Sequence, residues 1–209
     1  IKSAFRHSSC LRDDLVALHF YPKAARPEDV AMMAELIVES TSRLSLMEST
    51  VLGRKKLLPE EEQAALDYVV KNADFTAYHL LFALRDRSEA LYQSIPAVVR
   101  TAVLCAALSQ LTYLNDWGHL AVAPRVGAPA RALVEAGAAA LSRIEPVLAD
   151  RRPAPFFGSA DATIATQYRR ADFAYRAAAS ILGRKAVFHD RVEKRDAAIA
   201  SLKSDRSTQ

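Results

Sequence analysis

Apolar residues in this chain recur at three- and four-residue steps, in runs that proline and glycine interrupt. Across 162–183, "ATIATQYRRADFAYRAAASILG", the positions Ile164, Tyr168, Ala171, Tyr175, Ala178 and Leu182 form one such stripe. That spacing puts side chains on a single face of an α-helix. Arg169, Asp172 and Arg176 fall on a neighbouring strip, with Asp172 one turn ahead of Arg176. This is the favourable order for a helical ion pair, and the strip reads as a solvated face.

The same pattern predicts helices along most of the sequence. The stretch 26–53 opens on Pro27, Glu28 and Asp29 and stops at Gly53, while 58–72 opens on Pro59 and three glutamates. Both openings suit a helix N-terminus, where proline costs nothing and acids meet the positive end of the dipole. Asp74 is placed to cap a helix over 75–87, and Pro96 starts one that runs to Leu114. Further helices are predicted over 129–137, stopped by Gly137, over 138–150 and over 162–183. The last, 190–205, has Asp190 three residues before Glu193, a capping-box spacing. Sustained apolar–polar alternation between hairpin turns is absent. The expectation is an all-α protein of about eight helices in antiparallel hairpins.

Composition agrees. The 209 residues are rich in alanine, leucine and arginine and hold only six glycines, a mix that favours helix. The length fits a single helical domain or a short array. The expected division is an N-terminal arm over 1–26, helical hairpins over 27–124, a hairpin with an insertion over 125–188 and a C-terminal helix over 189–209. The most apolar run, 101–111, is too short to span a bilayer, so no membrane span is expected. Cys10 and Cys105 lie in neither a CxxC pair nor metal spacing and read as isolated thiols. The chain begins at Ile1, which fits a processed or trimmed product; a cytoplasmic location is favoured, with a secreted form left open.

Residues 130–185 resemble a HEAT-type helical hairpin. Pro146 and Asp150 fit the first helix of that family, and Arg169 or Arg170, Ala177–Ala179, Leu182 and Gly183 fit the second. The pattern departs at "RRPAPFFGSADATIATQ", 151–167, a long insertion where the family has a short turn. The resemblance implies a short irregular array of hairpins of the kind that binds other proteins.

Candidate chemistry is sparse. "YLNDWGHLAVAP", 113–124, holds the chain's one tryptophan, with Asp116 and His119 beside Trp117. Asn115, Asp116, Gly118 and Pro124 favour a turn, so the preferred reading is a corner where a helix stops and Trp117 covers its end. In the alternative, Asp116 is a base, His119 its partner and Trp117 a stacking wall. His79 aligns with Phe75 and Phe82 as a core histidine. His189–Asp190 resembles the dyad of HD-domain phosphohydrolases, but further ligands on other helices are needed and Asp190 is already a cap. His7 and His19 lack ligand spacing, so no metal and no cofactor are expected. The sequence contains no P-loop, GxSxG or GxGxxG, and Ser109 lacks the glycines of a nucleophile elbow.

Charge divides unevenly. Residues 1–124 hold 13 Lys and Arg against 15 Asp and Glu, whereas 125–209 hold 15 against 9, and 12 of those 15 are arginine. This excess suits phosphate or an acidic partner, or reflects compositional bias. The leading expectation is a non-enzymatic helical module that binds a protein partner. Its contact set is Phe156, Phe157, Arg151, Arg152, Arg169, Arg170 and Arg176. Adjacent phenylalanines in a Pro/Gly-rich insertion are either tucked onto the helices or covered by a partner. The rivals are a HEAT-like nucleic-acid binder or DNA-base glycosylase, and a bacterial toxin-neutralising or secretion-associated protein.

Overall fold

The computed structural model of the protein describes residues 59–111, 114–120, 125–154 and 168–206. The expected arm, the helix over 26–53, Cys10, His7, His19, Phe156 and Phe157 lie outside them, as does the side chain of His79. The described residues are all-α in character. Eight α-helices are joined by three short 3-10 turns and one pair of two-residue strands. They fall into two compact units divided between Val103 and Leu104. Among the described residues no helix is long and apolar enough to cross a membrane.

In the first unit α1 (Pro59–Lys71) opens on proline and ends on a lysine in its last turn, each at the helix end where it is favoured. Ala65 and Val69 are fully buried. The helix expected over 75–87 begins as a 3-10 turn (Phe75–Ala77) and becomes α2 at Tyr78–Arg87, without a side-chain cap. Ser88 then takes an extended conformation and its hydroxyl accepts the Ala90 amide at 3.2 Å, starting α3 (Glu89–Ser94). This short helix is an addition to the sequence expectation. α2 packs on α1 and on α3. Tyr92 of α3 is buried with the guanidinium of Arg85 on one side at 4.9 Å and that of Arg100 at 4.7 Å. Arg100 belongs to α4 (Ala97–Gln110).

The second unit takes in the last turns of α4. A 3-10 turn (Asn115–Trp117) leads into β1 (Gly118–His119), which pairs antiparallel with β2 (Arg125–Val126) in the register Gly118↔Val126. α5 (Ala128–Glu135) and α6 (Ala138–Ile144) follow, separated by Gly137. The helix expected over 138–150 changes at Glu145–Ala149 to a 3-10 turn, because Pro146 has no amide to continue the α-helical ladder. α7 (Arg170–Ile181) packs against that turn and against α5, α6 and α8 (Val192–Arg206). The core is built from Leu104, Leu108, Trp117, Leu133, Ile144, Leu148, Phe173 and Ile199, each almost fully buried.

The strip Arg169, Asp172 and Arg176 is not a solvated face: Arg169 and Asp172 are buried, Arg176 is half-buried, and every residue from Tyr168 to Ala174 is buried. Four neighbouring elements surround α7, so the polar side chains of its first turn meet protein groups rather than water. The last helix starts at Val192, two residues after the predicted Asp190 cap.

Candidate functional site

The arginines of the expected contact set fall into two clusters of the second unit. The first is the corner. Leu114 accepts the Trp117 amide at 3.0 Å, and Trp117 in turn accepts that of Gly127 at 3.1 Å. Gly118 sits at φ +90, and a Cβ there would lie 1.9 Å from the Arg125 carbonyl oxygen. Only glycine fits both the dihedral and the space. At Gly127 a Cβ would lie 1.7 Å from the Asp116 carbonyl oxygen, so two stretches of backbone meet where side chains are excluded.

Trp117 is 1% exposed, and its indole Nε1 has no hydrogen-bond partner among the described residues. Asp116 is exposed and His119 half-buried. The ring is therefore sealed inside the unit while Asp116 faces outward. What the corner offers its neighbours is backbone. Arg176, from α7, donates Nη1 to the carbonyls of His119 at 2.9 Å and Arg125 at 3.2 Å, and Nη2 to that of Trp117. Burial pushes this guanidinium down to about 10, partly offset by Tyr168, which leaves it charged at neutral pH. Arg131 of α5 adds a bond from Nη1 to the Val126 carbonyl at 2.6 Å.

The second cluster surrounds the start of α7. Arg170 donates Nη1 to Leu108 O at 2.8 Å and Nη2 to Leu111 O, both at the end of α4. Arg152 donates Nη2 to Ser109 O at 2.9 Å and forks onto Asp150, with Nε at 2.9 Å and Nη2 at 2.6 Å. Two guanidinium groups thus cover carbonyls that a helix C-terminus leaves without partners, at the negative end of its dipole. Arg152 holds the Asp150 carboxyl below its ordinary range through that fork. Burial, and then the charge of Arg152, hold Arg170 below the usual arginine value.

Asp172 reaches back to the α7 N-cap, accepting the Arg169 amide at 2.9 Å and its Nη2 at 2.9 Å. The same carboxylate accepts Nη1 of Arg195 from α8 at 2.6 Å, with both side chains nearly inaccessible. Asp196, the next residue of α8, pairs with Arg169 at 2.9 Å and with Arg151 at 3.1 Å. Burial would lower the Arg169 pKa, but Asp172 and Asp196 outweigh it and hold it above the ordinary value.

These contacts close the base of 155–167. Ala154 donates to Tyr168 O at 2.7 Å, Arg170 donates to Arg152 O at 3.2 Å, and Pro153 and Arg169 form an antiparallel bridge. Arg151 and Arg152 are exposed on this stem, whereas Arg169 and Arg170 are buried. The five arginines grouped from the sequence therefore have different surroundings, and Arg176 belongs to the corner rather than the stem. Arg195 and Asp196 are the residues that the sequence did not single out, and Asp172, read there as the partner of Arg176, pairs instead with Arg169 and Arg195. An acid at the third position of a helix, as Asp172 is here, was the readable signal for its bond back to the N-cap amide.

Cys105 is a free, buried thiol that burial pushes up to about 11, eased by Arg143. Among the described residues no group of three or more His, Cys, Asp or Glu side chains is placed to hold a metal ion. Comparison with known protein families, with curated proteins and with solved structures finds no match, so the functional argument rests on the chain's own residues.

Proposed function

We propose that this chain is a non-enzymatic helical interaction module that holds a protein partner through 155–167, with Phe156 and Phe157 as apolar anchors and Arg151 and Arg152 beside them. The HEAT-like hairpin resemblance over 130–185 belongs to the same proposal. The observation that carries it is the closed stem: backbone hydrogen bonds join Ala154 to Tyr168 and Arg152 to Arg170. A segment whose ends are already joined has less entropy to lose on binding. Aromatic anchors are the kind of residue that dominates protein–protein binding energy.

The orientation of the arginines also favours a protein over a nucleic acid. Arg169 is engaged by carboxylates, and Arg170 and Arg176 by backbone carbonyls. These three guanidinium groups are held by groups of their own unit rather than presented to phosphates.

The test is affinity capture from the native source, comparing wild type with the double variant F156A/F157A. A stoichiometric protein partner should be recovered from about 150 mM to about 500 mM salt, because a desolvated aromatic anchor resists screening. The variant should lose it while its helical circular dichroism stays unchanged. Equal recovery by the variant contradicts the proposal. Micromolar binding to duplex DNA at about 150 mM salt, lost in R151Q/R152Q, would replace it with the nucleic-acid reading.

A further inference from the structure

Asp196 is the only described residue ion-paired with both arms of the stem: Arg151 lies on the incoming arm and Arg169 on the outgoing one, at 3.1 and 2.9 Å. Its neighbour Arg195 is paired with Asp172, the residue that sets the α7 N-cap. Two consecutive residues of α8, one positive and one negative, thus meet Asp172 of α7 and its N-cap residue Arg169. Arg195 also lies over the Phe188 ring at 5.0 Å, and Phe188 meets Tyr168 edge-on at 5.3 Å. Tyr168 supplies the carbonyl that accepts the Ala154 amide. α8 therefore reaches the stem by two routes, one through charge and one through aromatic packing.

We infer that α8 is a latch on the stem and that Asp196 is its positioning residue, so the stem opens when the Asp196 contacts are released. The two routes differ in their response to solvent. Arg195 and Asp172 are buried, whereas the side chains of Arg151 and Asp196 are 44% and 40% exposed. Asp196 Oδ1, which faces both Arg151 and Arg169, is itself inaccessible, so salt reaches this carboxylate through the exposed Arg151 and barely reaches Arg195–Asp172. The Arg151–Asp196 contact is thus the adjustable part of the latch and Arg195 the permanent part. An anionic or cationic partner group arriving at the stem would compete for Arg151 or Asp196 and change how tightly the stem is held. This inference deepens the interaction reading, because the stem carries the segment that reading uses. Its test needs no partner, so the two can fail separately.

The test is amide hydrogen exchange at Ala154 and Arg170, the two stem donors, measured residue by residue in the full chain. Asp196→Asn should speed both by roughly three- to tenfold, the factor that partly exposed ion pairs can supply. Core amides of α5, such as Leu133, should stay unchanged. Raising salt should speed the two stem amides in wild type but not in Asp196→Asn. Arg151→Gln should add less in the Asp196→Asn background than in wild type, as coupled residues do. Asp196→Glu, which keeps the charge, should restore part of the protection. Unchanged stem exchange in Asp196→Asn overturns the inference. So does equal acceleration of every amide in 104–206, which would make Asp196 a support of the whole unit. Strict additivity with Arg151→Gln overturns it as well.

Discussion

Replacing Arg176 with methionine keeps the length and apolar stem of the side chain and removes all three hydrogen bonds to the corner. Trp117 O still accepts from Gly127, and His119 and Arg125 face each other in the antiparallel pair, so the loss is that of the charge-assisted bonds themselves. A bond from a charged donor contributes about 1.5–3 kcal/mol net. The lower value at two carbonyls gives about 3 kcal/mol. For a chain of this length 1 kcal/mol moves Tm by about 2–4 °C, so Arg176→Met should melt about 6–12 °C below wild type. Lysine keeps the charge but cannot fork onto several carbonyls, so Arg176→Lys should fall between the two. The sole tryptophan makes the assay local: Trp117 fluorescence reports unfolding at the corner itself. A methionine variant within about 1 °C of wild type, or a lysine variant indistinguishable from it, would refute the reasoning.

Trp117→Ala should cost about 3–5 kcal/mol in chemical denaturation, since a fully buried indole is lost, whereas His119→Ala should cost far less. Gly127→Ala should leave the second unit unable to close its corner, seen as lost near-ultraviolet dichroism from Trp117, because the new methyl group meets the Asp116 carbonyl. For Cys105 the folded pKa lies above the ordinary value of 9.0, so its linked stability is complete below pH 9.0 and is lost as pH rises through about 11. In a Cys10→Ser background, Cys105→Ala should flatten the alkaline fall in stability over that window. An unchanged pH profile would contradict the burial of the thiol.

Helix positions were legible because periodicity and Pro/Gly breaks act locally. Pro59, Gly137 and Gly183 mark ends that the structure places within a few residues of the expected ones. The interrupted helix at Pro146 and the extra helix after Ser88 were local events as well. Ser88 as an N-cap was readable, and the proline was read as tolerated inside a helix where it instead tightened the chain. The arginine contacts were not legible. Arg176 and Arg170 find their acceptors 51 to 62 residues away, on backbone carbonyls that carry no sequence signature. An exposed ion-pair ladder and a buried one have the same spacing in sequence. What separated them was the packing of α5, α6, the 3-10 turn and α8 around α7. At the corner the residue types named a turn and a covering tryptophan, and there the side chains themselves were the signal.

The central claim is that the arginines around α7 hold the fold together rather than face an anion, and arginine-selective modification of the folded protein tests it most directly. Phenylglyoxal labelling followed by peptide mass spectrometry reads each guanidinium separately. Arg143 and Arg191, both exposed, should label rapidly, while Arg169, Arg170, Arg176 and Arg195 should label only on unfolding. Labelling of Arg170 and Arg176 in the native protein as fast as that of Arg191 would contradict the account.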